Sequence, residues 1–332
     1  MDGLQPAHLR GLDEEEDQMR QRRRTRLAVL LAAVIGLIAV ALPVAANSDN
    51  GNSNAPTVRF ATFNASLNRF NLGDLAIELS TPGSAQPDVI AEIIQRTRPD
   101  VLLINEFDFD AGGVAAEEFQ DNYLSVGHNG ADPIVYPYRM AVASNTGVPS
   151  GRDLDKSGSI GGPGDAFGFG FFPGQFAFVV YSMYPIVDDE VRTFQLFLWE
   201  DMPGALLPMN SDGSSFYDEG DLEIFRLSSK SHADIPVEIG NKVVHFLVSH
   251  PTPPVFDGPE DRNGTRNHDE IRFWADYVGP GKNRGTYIYD DDSKSGGLKP
   301  GSLSSLLVTR TLIRSMATQS KGRSSNCWTT QM

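Results

Sequence analysis

The chain of 332 residues is poor in cysteine and in positive charge. Its one cysteine, Cys327, excludes a disulfide within the chain and a zinc site built from several cysteines. Lys and Arg number 28 against 43 Asp and Glu, and the formal net charge is -15. Because sequence-independent affinity for nucleic acid comes mostly from cationic side chains, a nucleic-acid partner is not favoured. A bound metal cation is favoured, and a local basic pocket can still bind one phosphate.

Charged residues are absent from one long segment near the N-terminus. Residues 1–26 are polar, end in a basic cluster and are predicted to form a cytoplasmic leader. Residues 27–46 are uncharged and long enough to span a bilayer as a helix, whereas Pro43 and the small residues after it resemble a signal-peptide cleavage site. A transmembrane anchor and a cleaved signal peptide therefore stay open as alternatives. Both predict an exported protein in the periplasm, at the cell surface or secreted, with anchoring in the inner membrane under the first. Residues 47–56, rich in Asn, Ser and Gly, are predicted to be a linker.

The remaining sequence alternates between strand and helix patterns. Residues 57–64 alternate in polarity and predict a strand, and residues 88–98 predict a helix. The apolar run 101–104 is typical of a strand buried on both faces. This order predicts a βαβ crossover. The predicted buried face of the helix consists of Val89, Ile90, Ile93 and Ile94.

Later segments continue this alternation. Residues 176–181 and 242–248 predict strands, and residues 267–277 predict a helix. Asp269 and Glu270 are expected in the first turn of that helix, where carboxylates are favoured. Its predicted apolar face consists of Ile271, Trp274 and Val278. The fold class predicted from these elements is an α/β or α+β sandwich.

Polar side chains follow several of the predicted strands. Asn64 ends the first strand, and Glu106 follows the run 101–104, where α/β folds usually place ligands. A carboxylate at this position suits Mg²⁺, which takes few protein carboxylates together with water and phosphate. The alternative is that Glu106 only caps a loop.

Basic and imidazole side chains suggest phosphate contacts. His250 follows the strand 242–248 and precedes a Pro-rich loop, so we expect it to be exposed, fixed and suited to acid/base work, or else purely structural. Arg266 and Asn267 lie in a polar segment, and guanidinium groups match phosphate oxygens in pairs. Lys230 and His232 offer a second phosphate-contacting surface, unless they simply belong to an edge strand.

Four sequence segments, in their order along the chain, resemble segments of the endonuclease/exonuclease/phosphatase family, and the resemblance covers residues 58–289. FATFNAS contains Asn64, RPDVLLINEFD contains Glu106, and HFLVSHPTPP contains His250; FVVYSMYPI resembles the strand before the family's S-x-Y-P-I turn. The family includes nucleases related to deoxyribonuclease I, apurinic endonucleases, sphingomyelinases and inositol phosphatases. The segments FFPGQ and FRLSSKSH are most similar to those of exported bacterial members.

The resemblance implies a four-layer sandwich of two mixed β-sheets flanked by helices over residues 57–301. It also implies hydrolysis of a phosphoester by metal-assisted attack of water. In that reaction, Glu106 and Asn64 bind Mg²⁺, with Mn²⁺ or Ca²⁺ as alternatives, and His250 acts with Asn64 in catalysis. The implied phosphate-binding residues are Arg266, Lys230, His232 and Asn267.

Two later motifs of the family, Gly-Asp-x-Asn and Ser-Asp-His, do not occur in the sequence. Residues 302–332 contain no acidic residue and are predicted to be an aberrant tail. A reading-frame shift near Gly301–Ser302 explains the missing motif and the unusual tail. When the codons of residues 308–331 are read in the shifted frame, they can encode Gly-Asp-Gln-Asn after an apolar strand. A natural, divergent tail is the alternative. We expect the C-terminal part of the fold to be missing, including the strand that carries this motif, and turnover to be low or absent.

Three functions therefore compete. The leading one is an exported, metal-dependent hydrolase of a small phosphoester. The alternatives are a secreted nuclease and a non-catalytic surface binding protein or vestigial truncated product. Sequencing the gene from the codon of Gly301 onward tests the frame shift. If the third bases of these codons cannot encode Gly-Asp-x-Asn in the shifted frame, the frame shift is excluded.

Overall fold

The computed structural model describes residues 57–279 and 285–308. The predicted leader, the uncharged segment 27–46, the linker and residues 309–332 lie outside the described residues. No helix within the described ranges is long and apolar enough to cross a membrane.

The first sheet contains the predicted βαβ unit. Its four strands lie in the order β1-β2-β4-β3, with β1 parallel to β2 and the other neighbours antiparallel. The strands are β1 (Phe60–Leu67), β2 (Val101–Phe107), β3 (Tyr138–Val142) and β4 (Phe178–Ser182). The predicted strands 57–64, 101–104 and 176–181 are therefore confirmed with shifted ends.

The second sheet has the order β5-β6-β7-β8, and only β7 and β8 are parallel. Its strands are β5 (Arg192–Thr193), β6 (His232–Ile239), β7 (Lys242–Ser249) and β8 (Leu303–Val308). We expected the strand that carries the Gly-Asp-x-Asn motif to be missing, but a strand, β8, lies beside β7, although the sequence after it lacks that motif. Leu303 to Val308 lie within the predicted aberrant tail, yet they pair with Val244 to Ser249. Without β8, the edge of β7 would present unpaired N–H and C=O groups, and the backbone of β8 pairs with them.

Helices cover the outer faces of the sheets. In the described residues the α-helices are α1 (Asp74–Leu79), α2 (Ala85–Thr97), α3 (Val114–Phe119), α4 (Glu219–Leu222) and α5 (Arg262–Val278). A π-helical turn spans Gln120–Leu124, and short 3-10 helices span Pro163–Asp165 and Asp188–Glu190.

The long helix α2 makes the crossover from β1 to β2, as predicted, but with a different buried face. Ile90, Ala91 and Ile94 are buried, whereas Val89 and Ile93 are exposed. A helix buries one stripe of residues with a period of 3.6 residues, and positions 89 and 93 lie outside the buried stripe. The small side chain of Ala91, within that stripe, allows the helix to approach the sheet closely.

Helix α5 departs further from the prediction. It begins at Arg262, so Asp269 and Glu270 lie in its middle rather than in its first turn. Its buried face is partly charged, and two residues predicted to be buried, Ile271 and Val278, are exposed. The buried residues are Arg266, Asp269, Glu270, Phe273, Trp274 and Tyr277.

Three apolar clusters define four layers. The central cluster joins the two sheets face to face, with Leu103 and Val180 from one sheet and Ile235 and Phe246 from the other. A second cluster packs α1, α2 and α3 against the first sheet. A third, largely aromatic cluster packs α5 against the second sheet. The predicted four-layer sandwich of two mixed sheets is therefore confirmed.

Candidate functional site

A cavity of about 480 Å³ lies where several strands of both sheets end. Its lining includes Glu106 at the end of β2 and His250 directly after β7. The antiparallel register pairs His232 of β6 with Ser249 of β7, so Lys230, just before β6, comes close to His250. The fold thus brings together three residues that are far apart in the sequence.

The cavity has a polar floor, formed by Ser229, Lys230, His250 and Thr252, all of which are buried. Within the described part of the chain, Ser229 Oγ, His250 Nδ1 and Thr252 Oγ1 have no hydrogen-bond partner. Buried polar atoms without partners are rare because they cost free energy. Such a floor is suited to a polar ligand that supplies the missing hydrogen bonds.

Two groups of the floor have strongly lowered pKa values. Burial lowers the pKa of Lys230 to about 8. Burial, and then the charge of Lys230, hold the pKa of His250 well below its usual range. A histidine whose pKa is lowered in this way is neutral at pH 7. Our expectation that His250 is exposed is wrong, because the loop after β7 is packed under α5 through Thr252 and Glu270.

Glu270 of α5 connects the two segments of the floor. Its Oε1 accepts a hydrogen bond from Ser229 N at 2.7 Å, and its Oε2 accepts one from Thr252 N at 2.5 Å. Its charge also acts on Lys230. We did not predict this positioning role. The signal was available, since Glu270 is one helical turn from Arg266, Phe273 and Trp274 on the stripe that faces the core.

Glu106 and Asn64 lie together as predicted. Asn64 Nδ2 donates to Glu106 Oε1 at 2.8 Å, and Ser66 N donates to Asn64 Oδ1 at 3.1 Å. The amide nitrogen of Asn64 thus faces the carboxylate and orients it. A carboxylate fixed at the cavity is a hard oxygen donor that fits a divalent cation. The oxygen of Asn64 is engaged by the backbone, so Glu106 fits the role of metal ligand better than Asn64 does.

The other predicted phosphate-binding residues have structural partners. Arg266 lines the cavity, but its guanidinium donates to the backbone carbonyls of Phe167, Arg226 and Leu227. His232 is bonded through Nδ1 to Ser228 Oγ and through Nε2 to Glu270 O, and its ring contacts Phe273 and Trp274. Asn267 Nδ2 donates to Thr252 O at 2.7 Å, which fixes the loop below the floor. His232 and Asn267 are not among the residues that line the cavity.

Three of the nine non-glycine residues with positive φ in the described part of the chain line the cavity. Glu106, Phe176 and Phe256 line it and have φ values of 58°, 55° and 67°, in the left-handed region that non-glycine residues avoid. Such strain persists where the surrounding structure enforces it, often at functional sites. Asp108 supports this geometry, because it accepts hydrogen bonds from Phe176 N and Arg69 N, and burial raises its pKa to about 6.

A group of three carboxylates lies in the loop beside the cavity. Oxygens of Asp153, Asp155 and Asp165 lie within 4.8 Å of one another, and Asp155 lines the cavity. These side chains could hold a metal ion, although they are not the ligands that we predicted. The D-x-D-x-S-G spacing from Asp153 to Gly158 is a sequence signal that could have identified them.

A sequence model of the Endonuclease/Exonuclease/phosphatase family matches residues 61–283. The chain belongs to this family. Hydrolysis of phosphoesters by nucleases and phosphatases defines the family, and its members generally depend on divalent metal ions. A comparison with curated proteins finds no match to the chain.

Several solved structures are distantly similar to the chain. An endonuclease/exonuclease/phosphatase from Beutenbergia cavernae DSM 12333 is 15% identical, with 59% of this chain and 39% of that chain covered and a TM-score of 0.28. A family protein from Leptotrichia buccalis C-1013-b is 13% identical, with 65% and 61% covered and a TM-score of 0.30. The mannosyl-6-phosphatase Bt3783 of Bacteroides thetaiotaomicron VPI-5482 is 14% identical, with 68% and 62% covered and a TM-score of 0.31. The chain spans less than two thirds of the length of each.

Proposed function

We propose that the cavity binds the phosphate group of a small phosphoester, and that the reaction of the fold is metal-dependent hydrolysis of that ester. The observation that carries this proposal is the polar floor. Lys230 supplies a buried positive charge, and Ser229, His250 and Thr252 supply buried polar atoms without partners in the described residues. Phosphate oxygens satisfy donors of this kind, and charge-assisted hydrogen bonds are among the strong ones.

Each residue has a separate task. Lys230 neutralises a phosphate oxygen, and neutral His250 hydrogen-bonds to the phosphate or to the leaving oxygen. Glu106 holds Mg²⁺, or Mn²⁺ or Ca²⁺, and Asn64 keeps its carboxylate oriented. A bound divalent cation supplies positive charge that stabilises the phosphate in the transition state.

We further propose that the chain of 332 residues binds phosphoesters with little turnover and is exported. The sequence contains neither Gly-Asp-x-Asn nor Ser-Asp-His, the motifs to which the family resemblance assigns activation of water. Release of p-nitrophenol from bis(p-nitrophenyl) phosphate at a rate typical of the family would contradict low turnover. Recovery of the full chain from the cytoplasm alone would contradict export. Tight, salt-dependent binding of a DNA duplex would favour a nuclease instead.

Lys230→Met should retain the fold, because methionine has a similar length without a buried charge, and it should weaken binding of inorganic phosphate about 10- to 100-fold. Isothermal titration calorimetry of the full chain with Mg²⁺ present measures this. Lys299→Met is the matched control, because Lys299 is exposed and outside the cavity lining. Equal phosphate affinity in both variants would rule out the proposed floor.

The pKa of Lys230 is lowered from 10.5 to about 8, so the folded chain loses this proton before the unfolded chain does. Phosphate affinity should therefore fall as the pH rises above about 8. Between pH 8 and 10.5 the unfolded state binds more protons, so the free energy of unfolding should rise with pH relative to that of Lys230→Met. Parallel pH curves for the two proteins would show that Lys230 titrates elsewhere.

Glu106→Gln should weaken Mg²⁺ binding in the presence of phosphate by about tenfold or more, because the substitution removes the negative charge while keeping the shape of the side chain. Magnesium titrations followed by calorimetry measure the change. Glu223→Gln, at an exposed position outside the cavity lining, is the control. If only Asp155→Asn weakens Mg²⁺ binding, the three-aspartate group is the metal site instead.

A further inference from the structure

The walls of the cavity differ from its floor in being mostly apolar and aromatic. Five aromatic side chains line them: Phe169, Phe176, Tyr217, Phe225 and Phe256. Tyr217 and Phe225 are buried, whereas Phe169 is 59% exposed and Phe256 is 88% exposed. Such exposed rings leave apolar surface in water, next to a cavity that a ligand can fill.

The position of Phe256 is enforced by its backbone. Its φ of 67° is costly for a bulky side chain, and the Pro-rich loop after β7 nevertheless keeps it in that conformation. The loop is anchored at Thr252 by Glu270 and Asn267. A strained, exposed ring at the rim of a cavity is better explained by contact with a ligand than by packing of the free protein.

Lys230 is one of three cations that line the cavity, and the other two are held by hydrogen bonds or ion pairs within the protein. Of the other two cations that line it, Arg266 donates to three backbone carbonyls and Arg262 is paired with Glu260 at 3.0 Å. A nucleic-acid strand carries one phosphate per nucleotide and is usually bound by cations along a track. The lining described here offers one cationic position beside aromatic walls.

We infer that the cavity selects a small phosphoester with one phosphate and an apolar organic group, and this inference rests on the proposed function. The phosphate lies on the floor at Lys230, and the organic group lies against Phe169 and Phe256. A volume of about 480 Å³ suits a ligand of small-molecule size. Aromatic walls accept either a ring or an alkyl chain, so the site selects for an apolar organic group of either kind.

The test is calorimetry on the full chain with Mg²⁺, using three phosphate monoesters. 1-Naphthyl phosphate and octyl phosphate should each bind about tenfold or more tightly than glycerol 1-phosphate, because only they bury apolar area on the walls. A preference for the naphthyl ester supports a ring as the natural group, and a preference for the octyl ester supports a chain.

Variants at the rim assign this preference to the walls. Phe256→Ala and Phe169→Ala should each weaken binding of 1-naphthyl phosphate about tenfold and leave glycerol 1-phosphate unchanged. Both rings are largely exposed, so neither substitution removes a core contact. Phe70→Ala is the matched control, because Phe70 is 77% exposed and is not part of the cavity lining.

The outcomes separate this inference from the proposed function. If the three esters bind equally, or if the rim variants behave like Phe70→Ala, the inference is overturned while the phosphate floor stands. If 1-naphthol binds as tightly as 1-naphthyl phosphate, and Lys230→Met changes neither affinity, the floor does not bind phosphate. That result would contradict both the proposed function and the inference that the ligand is a phosphoester. Loss of affinity in Lys230→Met for all three esters, together with loss in Phe256→Ala for the apolar esters alone, supports both.

Discussion

Replacing Glu270 with alanine should lower the free energy of unfolding by about 3–5 kcal/mol, because one partner of a buried charged network is removed. Two backbone N–H groups, those of Ser229 and Thr252, would lose their acceptor inside the protein. Lys230 and Arg266 would also lose the nearby negative charge that offsets their burial. Urea unfolding of the two proteins at pH 7 measures the difference.

Two further variants show whether the charge or the shape of Glu270 matters. Glu270→Gln keeps one acceptor oxygen and should cost less than alanine, but phosphate affinity should change because the charge facing Lys230 is gone. Glu223→Ala, at an exposed position, should change stability by about 0.5 kcal/mol or less. A Glu270→Ala protein as stable as Glu223→Ala would show that the two hydrogen bonds do not hold the floor together.

Much of the fold follows from local patterns. The unit β1-α2-β2 is predicted from the apolar run 101–104 and the helix pattern of residues 88–98 before it. The two are distinguished because apolar residues recur with different periods in a doubly buried strand and in an amphipathic helix. The same logic finds Glu106, near the end of β2, and His250, directly after β7. These predictions depend only on residues that are close together in the sequence.

The remaining features depend on contacts between distant segments. Arg266 and Glu270 of helix α5 are buried. A prediction based on the spacing of apolar residues instead places such charged residues in the solvent. His250 is buried for the same reason, since the loop after β7 is held by a carboxylate from another element. His232 has polar neighbours in the sequence, but Phe273 and Trp274 enclose it in the fold. Burial of a polar side chain is decided by its partners, which local periodicity does not reveal.

The floor of the cavity is built against the bare backbone of Gly168. A Cβ at this position would lie 1.8 Å from Ser229 O, which is a backbone atom. Gly168 cannot easily move away, since its N–H donates to Asn145 O and its carbonyl accepts from Gly147 N. The opposite segment is held as well, by Glu270 at Ser229 N and by a hydrogen bond from Asn145 N to Lys230 O at 2.8 Å.

Gly168→Ala should therefore destabilise the protein by about 2–4 kcal/mol, near the upper end for overpacking, and should weaken phosphate binding more than its loss of stability alone explains. The second effect follows because relief of the clash must displace Ser229 and, with it, Lys230. Gly112→Ala is the control, since the nearest atoms to its Cβ would be side-chain atoms at 3.3 and 3.4 Å. Calorimetry at a temperature where both variants are folded compares their phosphate affinities. Unchanged affinity in a destabilised Gly168→Ala protein would mean that the floor binds phosphate without needing Lys230 in its present position, and that the close approach at Gly168 serves packing alone.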